Sequence, residues 1–253
     1  MNLQSSHALR RQIWELLASD DKGAVLEAEG LAQLLPQPCS EPDELTSQCI
    51  FDVAFAMEGL GDDRCAMQLY KRVLEYPVVV TKYPASAWFR IGVCIARQGN
   101  LCEAVRCYRE TLRLVENEAH LETIARYYLA VLLEADENYM DAADLYERVI
   151  SALPHPDINP HRARLNRARC CWRVAREEEA IAVLTELTVK REEPESAEAW
   201  RLLAEIAESN REYLKARRAY QEVMGSPHVE TSVRAGAAYR LAAITRELPR
   251  NLR

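Results

Sequence analysis

The sequence predicts an all-α protein built from repeated helix–turn–helix units, and three observations carry that prediction. Between breaks, apolar residues recur at three- and four-residue spacing, the period of one helix face. The prolines cluster at 36, 38 and 42, at 77 and 84, and at 154, 156 and 160, with single ones at 194, 227 and 249. A proline inside a helix costs about 3 kcal/mol, so these positions mark breaks. One signature then returns along the chain: an Ala followed four residues later by an aromatic or large apolar residue. It reads Ala66/Tyr70, Ala104/Tyr108, Ala142/Tyr146, Ala180/Leu184 and Ala216/Tyr220, at Ala-to-Ala intervals of 38, 38, 38 and 36 residues. No run of alternating β-branched residues extends beyond VVV at 78–80.

In chain order, residues at about 7–18 and 22–35 read as a degenerate helical pair that ends at PQPCSEPDE. Each Ala-to-aromatic segment that follows is a second helix. First helices precede them, as in CIFDVAFAMEGLGD, AWFRIGVCIARQGN and IARYYLAVLLEADENY. The stretch LPHPDINPH at 153–161 reads as a long connection between repeats, and SVRAGAAYRLAAITREL as one closing helix. Two helices of one hairpin cannot bury their apolar faces alone, so each copy leans on the next. The small Ala lets neighbouring helices approach, and the aromatic four residues on, on the same face, fills the space beside it.

This pattern resembles the tetratricopeptide repeat (TPR), a helical hairpin of about 34 residues. Trp88, Ile91, Gly92 and Ile95 fall on its first-helix positions, Gly99-Asn100 on its turn, and Ala104 and Tyr108 on its second helix. Trp200, Leu203, Ala204, Ala216 and Tyr220 give another match. The resemblance spans residues 45–228 or thereabouts. It implies a right-handed α-solenoid of about five full repeats, with the N-terminal pair and a C-terminal capping helix at its ends. The expected organisation is a single domain over 1–253: an N-terminal pair and loop at 1–42, repeats at 43–228, and a capping helix and tail at 229–253. The chain departs from the family in its 38-residue interval, and the fourth repeat puts Arg164 and Arg167 where apolar residues are expected.

Composition narrows the function. A net charge of −7 and a pI near 5.4 argue against a general nucleic-acid binder, which carries a basic footprint. The amphipathic start MNLQSSHALRRQIWELL does not read as a secretory signal, and the apolar runs are far too short to span a membrane. Eight cysteines without CxxC spacing read as small packing residues in a reducing compartment, so the expected location is cytoplasmic. His155 and His161 flank one loop and read as solvated rather than as metal ligands; no cofactor or metal is expected. Walker, GxSxG, HExxH and GxGxxG motifs are missing, and the acidic runs EEEA at 177–180 and REEPESAEAW at 191–200 read as helix starts, with Ser196 or a nearby polar group as cap. The chain is therefore expected not to be an enzyme.

The stretch HRARLNRARCCWRVAR at 161–176 carries six arginines and no acid. Arg162, Arg169, Arg173 and Arg176 share one helix face with Asn166 between them. Either they pair with acids on neighbouring helices, such as Glu118, Glu122, Glu134 or Glu177–Glu179, or they form a basic strip for an acidic peptide or a phosphate backbone.

In TPR proteins the first helices line a concave surface where partner peptides lie. The resemblance assigns to that surface Phe51 and Phe55 in the first full repeat, with Asp52 beside them, and Phe89, Arg90 and Arg97 in the second. The third contributes Tyr127 and Tyr128, and the fourth Arg162, Asn166, Arg169 and Arg173; Arg201, Glu205 and Tyr239 follow. The positions that grip a C-terminal carboxylate in some family members hold Phe51, Phe55, Arg90 and Ile124, so that clamp is missing. Phe51, Phe55, Phe89 and Tyr127 fit equally as rings packed between helices, because one position of helix phase separates the two arrangements. The expectation is a non-enzymatic scaffold or adaptor for a protein or peptide with apolar anchors and some acidic character. Its alternatives are a ligand- or peptide-sensing regulatory subunit and an RNA-contacting repeat protein.

Overall fold

In a computed structural model the chain is described over residues 3–19, 21–36, 44–76, 83–189, 193–227 and 229–247. VVV at 78–80, Cys39 and His228 lie outside these residues. Among the described residues there are thirteen α-helices and no strand: α1 (Leu3–Leu17), α2 (Lys22–Gln33), α3 (Glu44–Gly59), α4 (Asp63–Leu74), α5 (Pro84–Arg97), α6 (Leu101–Leu114), α7 (Ala119–Ala135), α8 (Tyr139–Ser151), α9 (Pro160–Arg173), α10 (Glu177–Thr188), α11 (Pro194–Ser209), α12 (Tyr213–Gly225) and α13 (Thr231–Glu247). The fold is an all-α helical-repeat solenoid.

Contacts divide the chain into two compact units, Met1–Ala125 and Arg126–Arg253, with the boundary inside α7. In the N-terminal unit α1 pairs with α2, α3 with α4 and α5 with α6, and the hairpins join through α2·α3 and α4·α5 contacts. In the C-terminal unit α8, α9, α10, α11, α12 and α13 pack in succession, and α9 also touches α11.

One turn is used five times. The second helix always starts after three connecting residues, and the middle one adopts a left-handed backbone: Gly61, Gly99, Glu137, Ala175 and Arg211, with φ of 83°, 82°, 60°, 61° and 60°. Each lies five residues before the signature Ala. The following amide reaches back five residues to close the helix end: Asp62 to the Met57 carbonyl, Asn100 to Ile95, Asn138 to Leu133, Arg176 to Cys171 and Glu212 to Ala207. This is the glycine-type helix stop, which satisfies carbonyls the last turn leaves open. Side chains then start the next helix where the residue allows, with Asp62 accepting from the Cys65 amide and Asn100 from the Glu103 amide. Connections between these repeats instead vary from four to nine residues, and helix length compensates: the 38-residue step across the four-residue α6–α7 connection is made up by the 17 residues of α7.

The signature residues fill the interior. Ala66, Ala104, Ala142, Ala180 and Ala216 have no exposed surface, and neither do Tyr70, Tyr108, Tyr146 and Leu184. Gly92 is small because Tyr108 lies against it; a Cβ there would stand 2.8 Å from Cε1 of that ring. Large buried side chains of this kind contribute roughly 1.5–3 kcal/mol each. On α13 only Ala237 and Ile244 are buried.

Cys49, Cys94, Cys107, Cys170 and Cys171 are buried. Burial pushes the Cys49, Cys94 and Cys170 thiols up to about 12, away from the reactive thiolate range. Two local expectations change. His155, expected in solvent, is buried, because the loop folds on a His155–Ile158 bridge and the Asp157 amide donates to its Nδ1. Ser196 lies buried inside α11 rather than at its cap, which is Glu193.

Candidate protein-binding face

The arginine strip on α9 is threaded with acids from other helices. Arg162 meets Glu198 at 2.8 Å and Glu195 at 3.4 Å. Arg169 meets Glu134 on α7 and Glu198 on α11. Arg201 adds a third arginine to Glu198 and also pairs with Glu205. Arg176 pairs with Glu179 at 2.7 Å and Asp144 at 3.7 Å. Arg167 stands at a position the family fills with an apolar residue; it is tolerated because Glu147 at 2.6 Å and Glu179 at 3.1 Å grip its nearly buried guanidinium. Of the two arrangements open at the level of sequence, internal pairing describes Arg162, Arg167, Arg169 and Arg176. Its partners include Glu134 and Glu179 as expected, together with Glu147, Glu195, Glu198 and Asp144.

Arg173 differs. It stacks beside Trp172 and Tyr139, 5.5 and 5.9 Å from the ring centroids, and has no acid at ion-pair distance among the described residues. It opens on a pocket lined also by Val131, Glu134, Tyr139, Asn166 and Arg169. Asn166 is buried there, donating to the Tyr146 hydroxyl and accepting from Arg169.

A second network repeats along the chain. The signature tyrosine donates to a glutamate twelve residues earlier, at the end of the first helix: Tyr70 to Glu58 at 3.0 Å, Tyr146 to Glu134 at 3.0 Å and Tyr220 to Glu208 at 2.9 Å. An arginine from the next first helix completes each set: Arg90 and Arg97 on Glu58, Arg169 on Glu134, and Arg240 on Glu208. Burial and the adjacent carboxylate hold all three phenols above the ordinary tyrosine range. The twelve-residue recurrence is visible in the sequence, though only the folded turn shows that it brings the pair together.

The aromatic residues divide. Phe51 packs between the Tyr70 and Tyr83 rings, at centroid distances of 5.3 and 5.2 Å. Phe89 is buried against Tyr108. Tyr127 lies half-buried against Tyr128 and Tyr146. Phe55, by contrast, is 50% exposed and carries the Arg90 guanidinium 4.5 Å above its ring. Arg97 is exposed and spent on Glu58 and Asp63, and Tyr128 keeps an exposed edge.

A pocket of about 680 Å³ lies in the C-terminal unit between α9, α11 and α13. Arg162, Glu198, Arg201 and Glu205 form one wall, and Val233, Gly236, Ala237 and Tyr239 the other. Tyr239 is 76% exposed, and nothing lies within 4 Å of where a Gly236 Cβ would stand. Among the described residues no group of three potential ligands could hold a metal, and no helix is long and apolar enough to cross a membrane.

A model of the tetratricopeptide repeat family matches residues 97–156 and 178–227. These two stretches of the chain are tetratricopeptide repeats. Solved structures with the same fold include YrrB, described as a TPR protein with an unusual peptide-binding site, at 17% identity and a TM-score of 0.62 over 80% of this chain and 92% of that one. The C-terminal part of a TPR protein from Cytophaga hutchinsonii gives 17% identity and 0.63 over 93% and 88%. PilF of Pseudomonas aeruginosa gives 16% and 0.55 over 79% and 84%. At these identities the likeness is one of fold. No curated protein matches by sequence.

Proposed function

We propose that this protein is a non-enzymatic cytoplasmic scaffold or adaptor that holds a segment of a partner protein on the first-helix face of its C-terminal unit. The observation that carries this reading is the α9–α11–α13 pocket, where an exposed tyrosine stands over space that no side chain fills. An exposed aromatic beside an open, part-apolar cleft is the usual form of an interface anchor. The peptide-binding site named for YrrB agrees with such a use of the fold. The partner's apolar anchor sits against Tyr239 and Val233, and its acidic character meets Arg173, the strip arginine on this face that lacks an acid. Arg162, Arg167, Arg169 and Arg176 are each held by glutamates, which weighs against a phosphate backbone as ligand. In a quantitative co-purification, Tyr239→Ala combined with Val233→Asp should lower partner recovery about 30-fold, the scale of a lost hot spot, with thermal stability unchanged. A partner list indistinguishable from wild type removes this face from the account.

A further inference from the structure

The N-terminal unit contains a different kind of cavity, about 600 Å³ in volume, between the C-terminal half of α1, the start of α2 and the C-terminal half of α3. Its apolar walls are Trp14, Leu17, Val25, Phe55 and Leu60. Asp52 stands among them on α3, one turn before Phe55, with the Trp14 indole donating to Oδ2 at 3.0 Å. No basic group lies within ion-pair distance of Asp52 among the described residues. That sets it apart from four other first-helix carboxylates. Glu58, Glu134, Glu198 and Glu208 each hold at least one arginine.

We propose that this cavity receives the guanidinium of an arginine side chain from a partner protein, with Asp52 as its counter-charge and Trp14 and Phe55 as its walls. A carboxylate withdrawn from water and held by one neutral N–H carries a desolvation cost that an incoming cation offsets. Burial raises the Asp52 carboxyl above its ordinary range, while the indole hydrogen bond opposes that, in keeping with a negative charge short of compensation. The molecule contains a model of the contact, since Phe55 already carries Arg90 on its ring. Phe55 is half exposed, leaving room for a second cation. At the cavity mouth Asp21 and Lys22 cancel in charge, and the Asp21 carboxylate is engaged by the Ala24 amide. A planar guanidinium suits a slot between ring faces better than the compact, strongly hydrated ammonium of lysine. The site lies in a different unit from the face proposed above and stands independently of it.

The test is selection of a random dodecapeptide display library on the immobilised full chain. Wild type should enrich peptides with an arginine at a fixed place, and Asp52→Asn, which still accepts from Trp14, should lose that enrichment. One selected peptide and its citrulline counterpart, equal in shape but neutral, are then titrated. Wild type should bind the citrulline peptide at least tenfold more weakly, and Asp52→Asn should bind both alike. Phe55→Ala, at an exposed position, should weaken the arginine peptide several-fold, which keeps the test open should Asp52→Asn fold poorly. Tyr239→Ala should leave this affinity unchanged, separating the cavity from the C-terminal face. No arginine enrichment, equal binding of arginine and citrulline peptides to wild type, or a lysine peptide binding as well as the arginine one overturns the proposal.

Discussion

Gly92 and Tyr108 touch at a place where no side chain fits between them: a Cβ on Gly92 would come within 2.8 Å of one ring carbon and 3.1 Å of another. Helix α5 and helix α6 approach this closely because the first supplies no side chain and the second a ring. Gly92→Ala should therefore destabilise the chain by about 1–3 kcal/mol through overpacking, despite Ala being the better helix former. Gly30, also helical but with nothing within 4 Å, should behave oppositely, and Gly30→Ala should stabilise by about 0.5–1 kcal/mol. Urea denaturation of the two variants checks both signs.

The left-handed turn residue gives a graded series. Glu137, Ala175 and Arg211 hold a backbone conformation that costs an L-residue about 1–2 kcal/mol, while Gly61 and Gly99 hold it at little cost. Each of the first three, changed to Gly, should raise stability by about 1 kcal/mol, and Gly99→Ala should lower it by a similar amount. Equal midpoints for all of them would show that the turn does not discriminate.

The Ala-to-aromatic interval gave the number and register of the repeats, because packing demands the same small and large residues wherever hairpins stack. It did not give the left-handed residue, since three of the five positions carry no glycine to advertise it. The binding face was less legible. Phe89 and Phe55 are both first-helix aromatics, yet one is buried and the other half exposed, a difference in helix phase that no periodicity resolves. Arg169 and Arg173 lie one turn apart and read alike; only the placement of Glu134 and Glu198 from other helices separates the paired arginine from the other. Asp52 drew no attention as a carboxylate, because its lack of a cation is a property of three helices together.

The tyrosine–glutamate pairs set an alkaline limit. The folded state raises the Tyr70, Tyr146 and Tyr220 phenols above their ordinary value of 10.0, so their contribution is full below that pH and is lost as pH climbs past it. Stability should stay level up to about pH 9 and then fall, with tyrosinate absorbance rising together with unfolding. Tyr146→Phe should cost about 1–2 kcal/mol at neutral pH and flatten part of the alkaline decline.

Glu198 joins three arginines from two helices. Its side chain is partly exposed, so the coupling is screened by salt. Glu198→Gln should cost about 1 kcal/mol at low ionic strength, and most of that difference should vanish near 0.5 M NaCl. A cost independent of salt would mean that Glu198 acts through packing instead.

The claim that the C-terminal face holds a partner is tested most directly by photocrosslinking. A benzophenone amino acid replaces Tyr239 in the α13 wall of the pocket, or Val189 at the end of α10, which is 79% exposed and outside it. Position 239 should give a discrete adduct with a partner protein and position 189 none. Adducts from 189 alone, or equal labelling from both, would contradict the claim.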